Sequence, residues 1–436
     1  MRSARNRELV GLIPVALLVF AGFTAVFSAQ GAKVDDLSLT YGLYFLAVCF
    51  ATHMVIRFRL PNADPYLFPL MALLAAIGLV MLYRVDESFA KNQATLMVVG
   101  LVLFILTITF LKDYHVLERY RYIIAVVGIG LLLSPRVFVD HEVVGRTGAY
   151  INASIGPISF QPSEFGKLAI IIFLASYLRE KREVLIVGAR RILGVTLPPL
   201  KHFGPLLVVW GAAMLMLLVI RDLGASLMFF GAFLALLYVA TSRLSFVIIG
   251  MVLFLGGAWF MASTVGHVGE RVDIWLDPYQ DPQNSGYQIL QALFAQSDGG
   301  MFGQGIGSSL LQAPGSNGPL VPEIQTDFIY ALIVDELGLF GAAAVVLTYA
   351  LIAARGFKTA ILATDGFSKL LATGLTTVFA FQAFVIIGGV TRVIPLTGVT
   401  LPFVSFGGSS VIANMVLLAL LLLISDRART PRVEPL

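Results

Sequence analysis

The chain has few charged residues and almost no cysteine. Only 13% of its 436 residues are charged and 58% are hydrophobic, with a mean hydropathy of +0.87. A soluble domain carries roughly 25% charged residues, so this composition excludes the soluble class. Because Cys49 is the single cysteine, an intrachain disulfide and a cysteine-based metal site are excluded. The five histidines lack metal-site spacing, and the basic residues are spread over loops, which does not indicate nucleic-acid binding.

Apolar runs long enough to cross a bilayer recur along the chain, since a spanning helix needs about 17–25 such residues. They predict an all-α, polytopic membrane helical bundle of about twelve transmembrane helices. The predicted spans are 9–29, 40–56, 67–83, 94–111, 122–138, 165–178, 204–220, 224–240, 245–263, 328–354, 370–390 and 409–425.

Two of these spans allow alternatives. The first follows Arg2, Arg5 and Arg7 and could be a signal peptide, but its apolar core is longer than usual, which favours a retained helix. The tenth is long for one crossing, so it either tilts or begins as a helix in the outer interface.

The positive-inside rule gives the orientation. Most of the 30 Lys and Arg residues lie on one side when the N-terminus is cytoplasmic, and the strongest cluster is in 179–201. Both termini are then cytoplasmic. Segment 264–327, between spans nine and ten, becomes the largest extracytoplasmic loop.

This outer loop carries two Asp-Pro steps, Asp277-Pro278 and Asp281-Pro282, followed by a glycine-dense run from Gly299 to Gly307. Proline disfavours helical conformation in the residue before it, so each step places a carboxylate on a stiff, non-helical segment. Such a loop could hold a reacting group. The alternative is a solvated loop of helix-breaking residues.

Other outer segments contain polar residues near predicted spans. Glu164 and Lys167 share a helix face and are either an interfacial ion pair with a snorkelling lysine or part of a wet cavity. The residues Arg221 and Asp222 form a tight hairpin, for which a solvated turn is the simplest interpretation.

The segment before span ten allows a second pair of interpretations. Thr326 and Asp327 could simply cap that helix. Asp335 and Glu336 lie deeper in it, so they need an internal partner or cavity. The small residues of 401–410, before span twelve, favour close helix packing, or could leave backbone N–H groups free for an anion.

Several long motifs in one order resemble the SEDS family (shape, elongation, division and sporulation), whose members include RodA, FtsW and SpoVE. The resemblance covers roughly residues 120 to 425 and favours a RodA-like, elongation-type member. It is carried by FQPSEFGKLA (160–169), RDLG (221–224), DPYQDPQNSGYQILQ (277–291), GGMFGQGIGSS (299–309), PEIQTDFIYALIVDELG (322–338) and LPFVSFGGSS (401–410).

The resemblance implies a peptidoglycan glycosyltransferase that polymerises lipid II on the outer face of the membrane. It implies that Asp281, in the second Asp-Pro step, is the catalytic residue, and that Lys167, Glu164 and Asp222 belong to the central cavity. The other predicted substrate-binding residues are Arg221, Gln288, Glu323, Thr326, Asp327 and Ser409.

The family also implies a class B penicillin-binding protein as partner and a bacterial cytoplasmic-membrane location. No tightly bound cofactor is expected, although Mg²⁺ or Mn²⁺ is possible. The family core has ten spans, so residues 1–65 are predicted to be additional membrane helices, 66–426 the polymerase domain and 427–436 a cytoplasmic tail.

The chain departs from the family pattern at two positions. Asn152 stands near an expected tryptophan, and Ile220-Arg221 replaces a common Gln-Pro. Two other functions are consistent with polar groups in a helical bundle, namely a lipid II flippase or transporter, and a non-catalytic scaffold for cell-wall enzymes. The large acidic outer loop favours chemistry on one face over both.

Overall fold

The computed structural model describes residues 2–29, 36–111, 113–139, 150, 152–155, 158–187, 190–192, 195–197, 211, 222–264, 266–312 and 319–430. Within these ranges the chain forms helices joined by loops, with two small antiparallel hairpins, β1–β2 and β3–β4. The strands are β1 (Ala153–Ile155), β2 (Ile158–Phe160), β3 (Arg190–Ile192) and β4 (Val195–Leu197).

The described ranges hold fourteen helices. They are α1 (Arg2–Ala29), α2 (Asp36–Arg59), α3 (Leu67–Val85), α4 (Glu87–Phe110), α5 (Val116–Arg119), α6 (Arg121–Val137), α7 (Pro162–Val187), α8 (Leu223–Thr241), α9 (Leu244–Thr264), α10 (Gly266–Leu276), α11 (Tyr287–Gly299), α12 (Ile329–Leu362), α13 (Gly366–Val390) and α14 (Gly408–Arg429).

These helices confirm the predicted all-α membrane fold. Eleven of the twelve predicted spans coincide with helices, and the remaining one, span seven (204–220), lies outside the described residues except at Gly211. Eight helices in the described part are long and apolar enough to cross a membrane. A helix satisfies its own backbone polar groups, which is what a lipid environment requires.

The chain divides into two compact units. The first contains residues 1–110, 271–355 and 382–436. In this unit α4 packs along α14, and α1 packs against α2 and α3. Helix α3 lies directly on the segment before α14, since a methyl group at Gly78 would be 2.6 Å from the carbonyl oxygen of Phe403. The small residue at position 78 therefore sets this helix-to-loop distance.

Buried charges connect the helices of the first unit at one end. The fully buried carboxylate of Asp64 accepts hydrogen bonds from Arg355 at 2.9 Å and from Arg429 at 2.6 Å. Next to this group in space, Arg5 donates to the Ala63 carbonyl oxygen, and Glu8 on α1 pairs with Arg5 and with His53 on α2, at 2.7 Å for the histidine. Buried carboxylates need such partners because an unpaired charge in an apolar interior is costly.

The second unit contains residues 111–270 and 356–381. Helix α7 packs against both α6 and α8, and α8 packs against α9. The α6–α7 contact is close because a methyl group at Gly128 would lie 2.7 Å from the side chain of Ala169. Small residues at crossing points allow this approach.

Helix α12 is broken near its start. Gly338 has φ 66° and ψ −172°, which no helix accommodates, so a segment from Ile329 to Leu337 is separated from the longer segment beyond it. Residues 329–336 are buried, whereas Leu339 and Phe340 are exposed. The length of this predicted span is thus explained by a break at Gly338, with the short first segment inside the unit.

The glycine-rich loop after α11 occupies this break. Backbone groups of the loop and of the helix bond to one another in place of the missing helical bonds. The pairs are Leu339 N to Gly300 O at 2.9 Å, Phe340 N to Met301 O at 3.3 Å, Gln304 N to Asp335 O at 2.9 Å and Gly305 N to Glu336 O at 3.0 Å. The run predicted as a possible holder of a reacting group therefore has a clear structural role.

The carboxylate of Glu336 holds the same loop. It accepts hydrogen bonds from Arg84 Nε at 3.0 Å, Ser309 Oγ at 2.7 Å and the Gly307 N–H at 3.0 Å. This confirms the expected internal partner for one of the two acids in this span. The neighbouring Asp335 is also buried, and its Oδ1 has no hydrogen-bond partner within the described residues.

Gly303→Ala should destabilise the protein more than Gly300→Ala. Both glycines have positive φ, 83° and 50°, but a methyl group at Gly303 would lie 2.2 Å from the Glu336 carbonyl oxygen, whereas open space surrounds Gly300. Overpacking of this kind costs about 1–3 kcal/mol of unfolding free energy. Thermal denaturation of both variants in detergent measures the difference. Equal midpoints would contradict the docked loop.

Candidate active site

The acidic loop between α10 and α11 is compact. Asp277 accepts a hydrogen bond from the Tyr279 N–H at 3.1 Å and caps a short 3₁₀ turn, Pro278–Gln280. The Gly286 N–H donates to the Asp281 carbonyl oxygen at 2.9 Å. A methyl group at Gly286 would be 2.1 Å from the Pro278 carbonyl oxygen, so only glycine closes the loop this tightly. The segment predicted as non-helical thus contains one 3₁₀ turn.

The Asp281 carboxylate is held by its own loop. Oδ1 accepts from Asn284 Nδ2 at 2.9 Å, and Oδ2 accepts from the Ser285 N–H and Oγ, both at 3.2 Å. These bonds lower the pKa of Asp281, chiefly through the Ser285 N–H and then through Asn284, because they stabilise the charged form. The carboxylate is therefore ionised at neutral pH, partly exposed and fixed in direction, as a proton acceptor must be.

Two side chains that hold Asp281 were missed by the sequence reasoning. Asn284 and Ser285 lie inside the motif at 277–291, but neither was predicted to have a role. The signal was available, since an acidic residue followed three and four residues later by Asn and Ser in a turn can form local hydrogen bonds. The loop is ordered by these bonds and is also solvated, since residues 279–280 and 282–284 are exposed.

Four other predicted substrate residues lie in the first unit. Gln288 is partly buried on the first turn of α11, and Ser409 is partly buried on the first turn of α14. Glu323 is exposed with φ 55°, and its carbonyl oxygen accepts from Thr326 Oγ1 at 3.1 Å. The Thr326 hydroxyl thus bonds backward in the chain, and α12 begins only at Ile329.

Asp327 lies beside Arg271, a residue that the sequence reasoning had not singled out. Both side chains approach Gly398, where a methyl group would lie 3.5 Å from Asp327 Oδ2 and 3.7 Å from Arg271 Nη2. Burial raises the pKa of Asp327 to about 7, although Arg271 opposes the shift. Arg271 also donates to the Leu396 carbonyl oxygen at 3.0 Å, so it links α10 to the segment before α14.

The remaining predicted residues lie in the second unit. Lys167 Nζ and Glu164 Oε2 on α7 are 2.5 Å apart, and each side chain is only 1% exposed. The alternative of a snorkelling lysine is wrong, because the pair is enclosed by protein. Asp222 is also buried and caps α8 by accepting from the Ala225 N–H at 2.8 Å, so the solvated-turn interpretation fails for it. Arg221 lies outside the described residues.

No metal centre is formed by the described part of the chain, where no three His, Cys, Asp or Glu side chains are grouped to hold an ion.

Comparison with known proteins identifies the family. The model of the cell cycle protein family FtsW/RodA/SpoVE matches residues 65–430. The chain belongs to this SEDS family. The sequence resemblance is therefore confirmed, and its motifs fall on the acidic loop, the break in α12 and the start of α14.

The SEDS chain is similar to relatives of different named roles. It is 40% identical to the peptidoglycan glycosyltransferase RodA of Mycobacterium tuberculosis, over 99% of this chain and 93% of that one. It is 32% identical to stage V sporulation protein E of Bacillus subtilis, over 84% and 98% respectively. Among solved structures, a chain from a peptidoglycan synthase complex that coordinates polymerization and crosslinking aligns with a TM-score of 0.66 and 26% identity. The alignment covers 85% of this chain and 99% of that one.

Asp327→Asn should remove a pH dependence of stability. A carboxyl group with a higher pKa in the folded than in the unfolded chain binds a proton on folding, so it favours the folded state at low pH. That contribution is lost as pH rises from about 4 to about 7. Relative to Asp327→Asn, the wild-type melting midpoint should fall as the pH rises from about 4 to about 7. Parallel midpoint curves for the two proteins would contradict the raised pKa.

Proposed function

We propose that this SEDS protein is a peptidoglycan glycosyltransferase that polymerises lipid II into glycan strands at the outer face of the cytoplasmic membrane. The family membership and the names of its relatives support this activity. The observation that carries the proposal is the Asp281 carboxylate, which is ionised, partly exposed and aimed by three local hydrogen bonds.

We assign it to the RodA-like group, with a role in cell elongation rather than division. The identity to the mycobacterial RodA extends over 99% of this chain, including the N-terminal helices. The match to stage V sporulation protein E is both lower in identity and shorter, at 84% of this chain.

In the proposed mechanism Asp281 is the general base. It accepts the proton from the 4-hydroxyl of the acceptor sugar of lipid II, and that oxygen attacks the anomeric carbon of the growing strand. Undecaprenyl pyrophosphate leaves with the bonding electron pair. A positioned base contributes roughly 10²–10⁴-fold to the rate.

The departing pyrophosphate gains negative charge, which cationic groups stabilise. Lys167 and Arg221 are the proposed candidates. The charge of Lys167 is already opposed by Glu164 at 2.5 Å, so its role would depend on exchanging that partner. We propose that Mg²⁺ or Mn²⁺, where present, would be held by the pyrophosphate oxygens and would offset the negative charge of the leaving group.

The protein is a multi-pass membrane protein. We propose that both termini are cytoplasmic, which places the loop with Asp281 outside. A class B penicillin-binding protein is the proposed partner, because the similar solved chain comes from a complex that couples polymerization to crosslinking.

Asp281→Asn should abolish glycan synthesis, because the amide cannot accept the proton. The matched control is Asp277→Asn, the same substitution at the other Asp-Pro step, where the asparagine can still cap the turn and most activity should remain. Purified protein, with its candidate transpeptidase and lipid II, is assayed for polymer on gels, with Mg²⁺, with Mn²⁺ and with chelator. Polymer made by folded Asp281→Asn at the wild-type rate would exclude Asp281 as the base.

The same wild-type protein distinguishes the alternative functions. Movement of lipid II across vesicle membranes without polymer would favour a flippase. The absence of both polymer and lipid II movement would favour a scaffold.

Removing the donors to Asp281 should move the acidic limb of the pH–rate profile. Asn284→Ala and Ser285→Ala each delete a bond that lowers the pKa of Asp281, so the pKa should rise and activity should be lost at a higher pH than in the wild type. Initial polymerisation rates from about pH 2.5 to about pH 6 measure the shift, because the wild-type limb lies below the ordinary aspartate pKa of about 3.9. An unchanged acidic limb together with a reduced rate would indicate that these residues only maintain the loop.

A further inference from the structure

The helix that ends at Val390 finishes in an unusual way. The Arg392 N–H donates to the Gly389 carbonyl oxygen at 3.2 Å, and the Val393 N–H donates to the Gly388 carbonyl oxygen at 2.8 Å. This is the pattern of a Schellman motif, which places Arg392 in the left-handed position that glycine usually occupies. Its φ is 58°. An arginine in this position is strained, so its side chain must provide something that glycine does not.

The Arg392 side chain binds the end of α10. Its Nε and Nη2 donate to the Trp275 carbonyl oxygen at 3.2 and 2.8 Å, and Nη2 also donates to the Leu276 carbonyl oxygen at 3.0 Å. In return the Trp275 indole Nε1 donates to the Arg392 carbonyl oxygen at 3.0 Å. A cation suits this place, because the last carbonyl groups of a helix lack partners and carry partial negative charge.

The same turn binds the helix on the other side of the acidic loop. Gln296 Nε2 on α11 donates to the Val390 carbonyl oxygen at 3.2 Å. Helix α10 ends at Leu276 and α11 begins at Tyr287, so the loop with Asp281 lies between the two attachments. The turn at 390–392 therefore fixes both flanks of this loop from a part of the chain about a hundred residues away.

The geometry points to Arg392, with Trp275 and Gln296, as positioning residues for Asp281. They do not touch the reacting atoms. They hold the last residues of α10 and, through Gln296 near its end, the helix α11 that follows the loop, so that Asn284 and Ser285 aim the carboxylate in one direction. This inference rests on the proposed role of Asp281 as the base.

Arg392→Gly and Arg392→Ala together separate positioning from stability. Both variants lose the guanidinium group, but only glycine relieves the left-handed backbone, so the glycine variant should have the higher melting midpoint. Both should show the same loss of kcat, about 10- to 100-fold, with KM for lipid II within about twofold, because a misplaced base slows the chemical step. Trp275→Phe and Gln296→Ala should also lower kcat while KM stays within about twofold, but their losses of kcat should be smaller.

The matched control is Arg182→Ala. Arg182 Nε also donates to a backbone carbonyl oxygen, that of Ala240 at 3.0 Å, but within the other unit. It should keep wild-type kcat. Wild-type kcat in Arg392→Gly, or a kcat that follows the melting midpoint across the series, would overturn the positioning role.

A spin label tests the same inference without an activity assay. Because Cys49 is the only cysteine, Cys49→Ala gives a label-free background. A label at Tyr279→Cys, where the native side chain is 62% exposed, reports on the acidic loop, and one at Phe58→Cys, 79% exposed on α2, is the remote control. Arg392→Gly should increase mobility at 279 only.

The two proposals can fail separately. If the wild type with its partner makes no polymer, the glycosyltransferase proposal is rejected, whereas the spin label still tests whether Arg392 positions the acidic loop. Unchanged mobility at position 279 in Arg392→Gly would reject this positioning role, whatever the activity.

Discussion

The first unit depends on how the backbone groups at the break in α12 are satisfied. A helix interrupted inside a membrane protein leaves backbone groups without partners, and these must be satisfied by protein because lipid offers none. Here the glycine-rich loop supplies the partners, and the buried Glu336 carboxylate holds that loop together with Arg84. Glycine at 303 and 338 is required since the two backbones approach too closely for a side chain.

The acidic loop is also held by hydrogen bonds to a distant part of the chain. The helices on its two sides, α10 and α11, bond to the turn after α13 through Arg392 and Gln296. The loop itself is closed by Gly286, and its carboxylate is satisfied by neighbours three and four residues ahead. Local sequence therefore aims Asp281, while remote contacts decide where the whole loop is held.

This division explains what the sequence could predict. Hydropathy and length predicted the helices, because a spanning helix needs only a long apolar run. Motif order predicted the family and the loop that carries Asp281. The break at Gly338 was not foreseen, since a single Gly inside an apolar run has no local signal of a loop entering from thirty-odd residues earlier.

The pairing of buried charges was predicted only where it is local. Glu164 and Lys167 are one helical turn apart, so their contact follows from spacing. By contrast, Arg84 reaches Glu336 and Arg392 reaches Trp275 across more than a hundred residues. Arg392 in particular looks like an ordinary outer-loop cation until its backbone conformation and its acceptors are known.

The environments of Asp281 and Asp327 show why position matters more than basicity in this site. Hydrogen bonds lower the pKa of Asp281, whereas burial raises that of Asp327 to about 7. Of the two, Asp327 would be the stronger base, but it is partly buried beside Arg271. Asp281 is the weaker base, yet it is ionised at neutral pH and partly exposed. Since its basicity is low, its contribution in the proposed mechanism comes from being held at the right distance and angle. A carboxylate used in this way needs a rigid loop more than a raised pKa, and the contacts that fix both flanks of that loop provide it.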